Sequence, residues 1–277
     1  MLIVDSQVHI WAASTPERPW PARHAPHRPL PYTQQDLLND MQATGVNRTI
    51  IVPPSWEGER NDLAIAAVEA HPDKFAIMGR LDMSAADARE RITHWREQPG
   101  MLGIRFTFHL PPFEPMLVNG ELEWLWRAAE AAGVPLMILI HQKHAPLVDG
   151  IAERHPALKI IIDHLAVPPG PKGDAAFADI AHLLALAKRP NIAVKASGIP
   201  AIATDTYPYR SLHHHLRAVY DAFGAQRVFW GTDLTRLPCT YRQALTLFSE
   251  ELPWLSDADK EWTMGRGVCE WLGWDVA

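Results

Sequence analysis

The chain has 277 residues, of which 47% are hydrophobic and 21% charged, with a formal net charge of −6. A chain of this length buries roughly three quarters of the surface its unfolded form exposes, so folding requires neither disulfides nor a structural metal. The acidic balance argues against a sequence-independent nucleic-acid binder, which needs a basic surface, and the apolar content argues against disorder.

Leu2–Val4 is an apolar run of strand length, followed by the polar stretch Asp5-Ser6-Gln7-Val8-His9. Ala12–Tyr32 carries six prolines, too many for a helix or an interior strand, and predicts a long loop. Gln34–Thr44 places Leu37, Leu38 and Met41 at helical spacing, with Gly45 to end the helix. Arg48–Val52 predicts a second strand, Asp62–Glu69 a helix before His71-Pro72, and Phe75–Leu81 a third strand. Leu102–Phe106, Pro135–Ile140, Leu158–Ile162, Ile192–Val194 and Arg227–Trp230 continue the series of strands. Between them lie helical patterns at Glu121–Ala132, Ala145–His155, Ala175–Lys188 and Leu212–Phe223. Tyr241–Glu251 and Ala258–Leu272 predict the closing helices.

The apolar runs are short, β-branched and nearly continuous, as in strands buried on both faces of a parallel sheet. Strands alternating with helices predict an α/β fold. Eight strands in this length predict a single-domain (β/α)8 TIM barrel over residues 1–277, a fold of about 250 residues. A doubly wound open sheet would usually begin with a glycine-rich turn, and the first turn here has none. Two cysteines, Cys239 and Cys269, cannot make a disulfide framework and read as thiols of a reducing compartment. The beginning of the chain lacks a leader pattern, and no run nears the roughly 18 apolar residues of a membrane span. A cytoplasmic protein without nucleic-acid or membrane partners is expected; a homo-oligomer stays open.

Barrel chemistry sits at the C-terminal ends of the strands. There the sequence supplies Asp5, Gln7 and His9; Ser55, Trp56 and Glu57; Arg80 and Asp82; Arg105 and His109; His141 and His144; Asp163 and His164; Lys195 and Ser197; Asp233 and Arg236. A single histidine after a strand is more often a surface or capping residue than a ligand. His9, His141, His164 and Asp233, converging from four strands, are the candidate site. Three imidazoles and a carboxylate suit zinc, manganese or a hydrolytic proton relay. His213-His214-His215 reads as solvated surface at a helix start, with adventitious metal binding open, and Asp5 as structural. Arg60, Arg80, Arg105, Lys195 and Arg236 gather cations at the mouth of an acidic protein, which points to a small anionic ligand. The alternative for Arg80 is pairing with Asp82 or Glu57. Trp11, Trp56 and Trp230 offer faces for a flat ring.

Five segments carry a family resemblance: Asp5-Ser6-Gln7-Val8-His9-Ile10-Trp11, Gly103-Ile104-Arg105, Asp163-His164, Val194-Lys195-Ala196-Ser197-Gly198 and Phe229-Trp230-Gly231-Thr232-Asp233. In order and spacing they resemble the amidohydrolase superfamily. The similarity lies in its amidohydrolase-related branch, with the 2-pyrone-4,6-dicarboxylate lactonases and the sugar-lactone and sulfomuconolactone hydrolases. The resemblance implies a barrel in which Asp233 activates water while His9 and His164 polarise the attacked carbonyl. It implies that Arg105, and less directly Lys195, grips a substrate carboxylate. Trp56 and Arg80 join them as candidate substrate contacts. The branch's first-strand signature is His-x-His, and Gln7 replaces its first histidine. An amide is a poor zinc ligand, so Gln7 is expected to hydrogen-bond the substrate carbonyl. His9, His141 and Asp233 could still hold one zinc or manganese ion; the lost histidine tilts the expectation toward no metal. The function implied is opening of an anionic lactone. A metal-dependent decarboxylase or hydratase is the alternative, and a non-catalytic binding protein on a decayed barrel the third.

Overall fold

A computed structural model describes residues 1–20, 30–234 and 237–275. Eight parallel strands follow one another around a single sheet in chain order. They are β1 (Val4–Val8), β2 (Arg48–Ile51), β3 (Phe75–Gly79), β4 (Met101–Phe106), β5 (Leu136–Ile138), β6 (Ile160–Ile162), β7 (Ile192–Ser197) and β8 (Val228–Gly231). The helices are α1 (Gln34–Thr44), α2 (Asp62–Ala70), α3 (Ala88–Thr93), α4 (Phe113–Val118), α5 (Glu123–Ala131), α6 (Ala145–Arg154), α7 (Ile180–Ala185), α8 (Ile199–Ile202), α9 (His213–Phe223), α10 (Tyr241–Ser249), α11 (Asp257–Glu261) and α12 (Gly267–Leu272). The architecture is the (β/α)8 barrel.

Period-two alternation sorts each strand's side chains into two sets. Ile77, Ile104, Ile138, Ile162 and Val194 pack in the large core shared with the helices. Ile50, Ala76, Met78, Met137, Ile161, Ala193 and Phe229 form a second cluster, the barrel's own interior, joined by Val268, Cys269 and Leu272 of α12. Two residues beyond an interior apolar position on the same strand face stands a polar one. Met78 is followed by Arg80, Ile161 by Asp163 and Ala193 by Lys195. The barrel is thus apolar at one end and ionic at the other.

The seam between β8 and β1 is joined partly by polar side chains. Ser6 Oγ donates to the Trp230 carbonyl at 2.6 Å, and Asp233 N–H to the Gln7 carbonyl at 2.9 Å. Asp5 takes donors from Thr232 N–H (2.9 Å), Thr232 Oγ1 (2.6 Å), Tyr241 OH (2.8 Å) and Gln7 N–H (3.1 Å). Asp5 is structural, as expected. Gly231 must be glycine-sized here, since a Cβ would come within 2.8 Å of Ser6 Oγ.

Several boundaries differ from the sequence expectation. The first strand covers Val4–Val8 rather than Leu2–Val4, and β7 continues past Val194 to Ser197. In both, polar residues extend the strand because their groups are paired inside the barrel. The helix expected over Ala175–Lys188 is broken into a 3-10 turn at Gly173–Phe177, α7 and a further 3-10 turn at Leu186–Lys188. A helix absent from the prediction, α3, precedes β4. The Ala12–Tyr32 loop is closed at its base by paired Trp11 and Tyr32 backbones; its residues 21–29, like Arg236, lie outside the described ones.

Candidate active site

The ionic end of the barrel is organised around a buried chain of hydrogen bonds. Asp163, fully buried after β6, sits between two cations: Lys195 Nζ at 2.8 Å from Oδ1 and Arg105 Nε at 3.1 Å from Oδ2. Burial pushes the Asp163 carboxyl up, but Lys195 and Arg105 more than offset it and hold it below the ordinary carboxylate range. Burial lowers the Lys195 ammonium, opposed by the same carboxylate. Lys195 also donates to Gln7 Oε1 and to the Ser6 carbonyl. With 0% exposure and its donors committed, Lys195 is a floor residue. Its expected grip on a substrate carboxylate is therefore replaced by a structural ion pair.

The chain sets the state of His9. Lys195 fixes Gln7 Oε1 as the acceptor, so the amide nitrogen of Gln7 faces His9 Nε2 at 3.3 Å. His9 Nδ1 lies 2.5 Å from the Val52 carbonyl, which can only accept, so Nδ1 carries a hydrogen. Nε2 therefore presents its lone pair. Asp233 Oδ1 stands 3.1 Å from that same nitrogen. Two acceptors at hydrogen-bond distance hold a proton or a cation between them. A proton taken up at Asp233 can be shared with His9. Gln7, expected on the substrate, is buried with its amide between Lys195 and His9.

His164 approaches Asp233 from the other side, Nε2 to Oδ2 at 3.8 Å, with its Nδ1 2.8 Å from Ser197 Oγ. His164 (φ 51°) and Asp233 (φ 50°) both have left-handed backbones. That conformation costs a non-glycine residue of order 1–3 kcal/mol and concentrates at functional sites. Gly198 leaves room for the bend: a Cβ there would lie 3.3 Å from Asp233 Oδ2. The structure thus brings His9, His164 and Asp233 together.

The expected substrate contacts fall into two groups. Arg80 is 3% exposed; its backbone is clamped by Asn61 and its Nε lies 2.9 Å from Glu59 Oε2. The partner is Glu59, not Asp82 or Glu57. Burial lowers the Arg80 guanidinium, with Glu59 opposing and the nearby Arg105 adding to the shift. Its Nη1 is buried without a partner. Arg105 contributes Nε to Asp163, which leaves its terminal nitrogens for other acceptors. Trp56 lies near His9, ring centroids 6.3 Å apart, and its indole Nε1 is buried without an acceptor. Arg80 Nη1 and Trp56 Nε1 are thus buried donors without acceptors beside the site, which an oxygen-rich anion could satisfy.

The donor geometry also tests the expected metal set. Among the described residues, the group of three His, Cys, Asp or Glu side chains with ligand atoms within 4.8 Å of one another is Asp174, His214 and His215. His9, His141 and Asp233 do not form such a group. His141 instead lies against His109 and His144, at centroid distances of 6.3 and 6.0 Å. Of that expected set only His9 Nε2 and Asp233 Oδ1 converge, where a catalytic zinc commonly takes three ligands from the protein. The expected triad does not fit a metal, and the chemistry below rests on the side chains.

Sequence reasoning named Asp163 and Ser197 as strand-end residues without roles, and missed Glu59 and the Val52 carbonyl. Asp163 had one usable signal, a carboxylate ending a strand of three isoleucines, where burial demands a cation. A backbone carbonyl leaves no signal in the sequence.

Comparison with known proteins follows the same lines. The amidohydrolase family model matches residues 4–266. An L-fucono-1,5-lactonase of Burkholderia ambifaria is 29% identical over 232 residues, covering 83% of this chain and 79% of the relative. A 4-sulfomuconolactone hydrolase of Hydrogenophaga intermedia is 26% identical over 206 residues, covering 72% of this chain and 64% of the relative. Among solved structures, a zinc-bound amidohydrolase of Burkholderia multivorans superposes with a TM-score of 0.81 at 22% identity, covering 99% of each chain.

Proposed function

The chain belongs to the amidohydrolase family, and on that premise we propose that it opens the ring of a lactone bearing a carboxylate or sulfonate group. Its lactonase and lactone-hydrolase relatives support lactone hydrolysis in general. The observation that carries the anionic substrate is the pair of buried arginines, with Arg80 Nη1 unpartnered and Arg105 beside it.

Asp233 accepts a proton from water as the water oxygen bonds to the lactone carbonyl carbon. The proton lodges between Asp233 Oδ1 and His9 Nε2. A positioned base of this kind contributes about 10²–10⁴ in rate. His164, held by Ser197, lies on the far side of Asp233, where its Nε2 can donate to the developing oxyanion. Collapse breaks the bond from carbonyl carbon to ring oxygen, and the shared proton passes to that oxygen. The product is a hydroxy acid, whose carboxyl proton goes to solvent.

The test is a panel of matched lactones, with and without a carboxylate or sulfonate, followed by proton release. Preferential turnover of the anionic members is expected. Equal turnover of neutral and anionic members would remove the role given to the arginines. Carbon dioxide release from an aromatic acid, with no lactone turned over, would favour the lyase alternative.

A further inference from the structure

Helix α9 opens on His213-His214-His215, away from the chain of bonds that sets Asp233. His214 Nε2 lies 3.5 Å and His215 Nε2 2.9 Å from the same oxygen, Oδ1 of Asp174. The two imidazole rings are 3.8 Å apart between centroids. His215 is fixed by stacking on the buried ring of Phe177, at 4.2 Å and 19°. One ligand atom from each of the three side chains falls within 4.8 Å of the others. With zinc bonds of about 2.0–2.1 Å, tetrahedral ligand atoms stand about 3.3 Å apart, and the two distances to Asp174 bracket that spacing. The His215 side chain is 12% exposed and that of Asp174 84%, so one ligand is anchored in the fold while water has access to complete the coordination.

We propose that Asp174, His214 and His215 form a binding site for one divalent transition ion of the zinc type, separate from the catalytic residues. Two imidazoles and a carboxylate suit zinc, copper or nickel. Without an ion, two histidines sharing one exposed carboxylate oxygen contribute little. With one, the site ties two segments of the barrel mouth. Asp174 lies two residues after the Pro168–Lys172 segment, which walls a cavity of about 120 Å³ also touched by His164 and Ser197. His214 and His215 belong to α9, after β7. The ion would pin this wall to α9 next to the catalytic histidine.

The experiment uses the 277-residue protein stripped by chelator and titrated with zinc in a calorimeter. Wild type is compared with His214→Ala and Asp174→Asn, both at exposed side chains, and with Asp233→Asn. Thermal unfolding without metal confirms that each variant is folded. One ion is expected to bind wild type and Asp233→Asn alike. Affinity should fall about tenfold or more in His214→Ala and Asp174→Asn, since even outer-shell changes cost 10–100-fold. The zinc-dependent rise in melting temperature should disappear with it. Identical isotherms for wild type, His214→Ala and Asp174→Asn would overturn the proposal. So would loss of the ion in Asp233→Asn, or binding seen only at millimolar zinc.

Discussion

Replacing Lys195 by methionine keeps the length of the side chain and deletes the ammonium that lies 2.8 Å from Asp163 Oδ1. Both side chains are fully buried, and removing one partner of a buried pair costs about 3–5 kcal/mol. Arg105 remains 3.1 Å from Asp163, so the loss belongs at the lower end, about 3 kcal/mol. In urea unfolding with a slope of about 3 kcal/mol/M, the midpoint should drop by about 1 M at constant slope. Kinetics give the second readout. Without the ammonium, Gln7 Oε1 loses its donor, the amide is free to turn, and its nitrogen no longer faces His9 Nε2 beside Asp233. The turnover number should fall while KM for an anionic lactone stays near wild type. An unchanged midpoint together with a tenfold higher KM would mean that Lys195 touches the substrate and does not hold the floor.

Arg80→Met and Arg105→Met should each raise KM for carboxylate or sulfonate lactones by about 10–150-fold, the equivalent of a charged hydrogen bond of 1.5–3 kcal/mol. A neutral lactone measured in parallel should change far less. Asp5 supplies a pH signature. Burial pushes its carboxyl up to about 6, against the hydrogen bonds from Thr232, Gln7 and Tyr241. With the folded pKa above the unfolded one, the native state binds more protons between about pH 4 and 6, so this group's contribution to stability declines as pH rises through that window. Two pKa units correspond to about 3 kcal/mol. Denaturation curves of Asp5→Asn should lack that part of the slope, although the amide, facing four donors, lowers stability overall; identical slopes would show that Asp5 is ionised throughout.

The fold was legible because parallel strands buried on both faces leave continuous apolar runs, and eight of them fit one barrel. Strand ends were legible only where the apolar pattern ended with them. β1 and β7 run on through Asp5-Ser6-Gln7 and Lys195-Ala196-Ser197, since pairing across the barrel offsets the cost of burying polar groups. Hydropathy has no access to such partners. The gathering of His9, His164 and Asp233 followed from the rule that places barrel chemistry at strand ends. The role of Lys195 did not, because a cation at a strand end looks the same whether it faces substrate or a carboxylate one strand away. His141 illustrates the same limit: its position after β5 was readable, but its neighbours His109 and His144 depend on how the loops fold back.

The proposed ring opening turns on Asp233 as the base that activates water. The direct measurement is kcat/KM of wild type and Asp233→Asn on the best anionic lactone of the panel, with melting temperature checked alongside. A fall of about 10²–10⁴ in a stably folded variant is predicted. Turnover by the asparagine variant at the wild-type rate would contradict it.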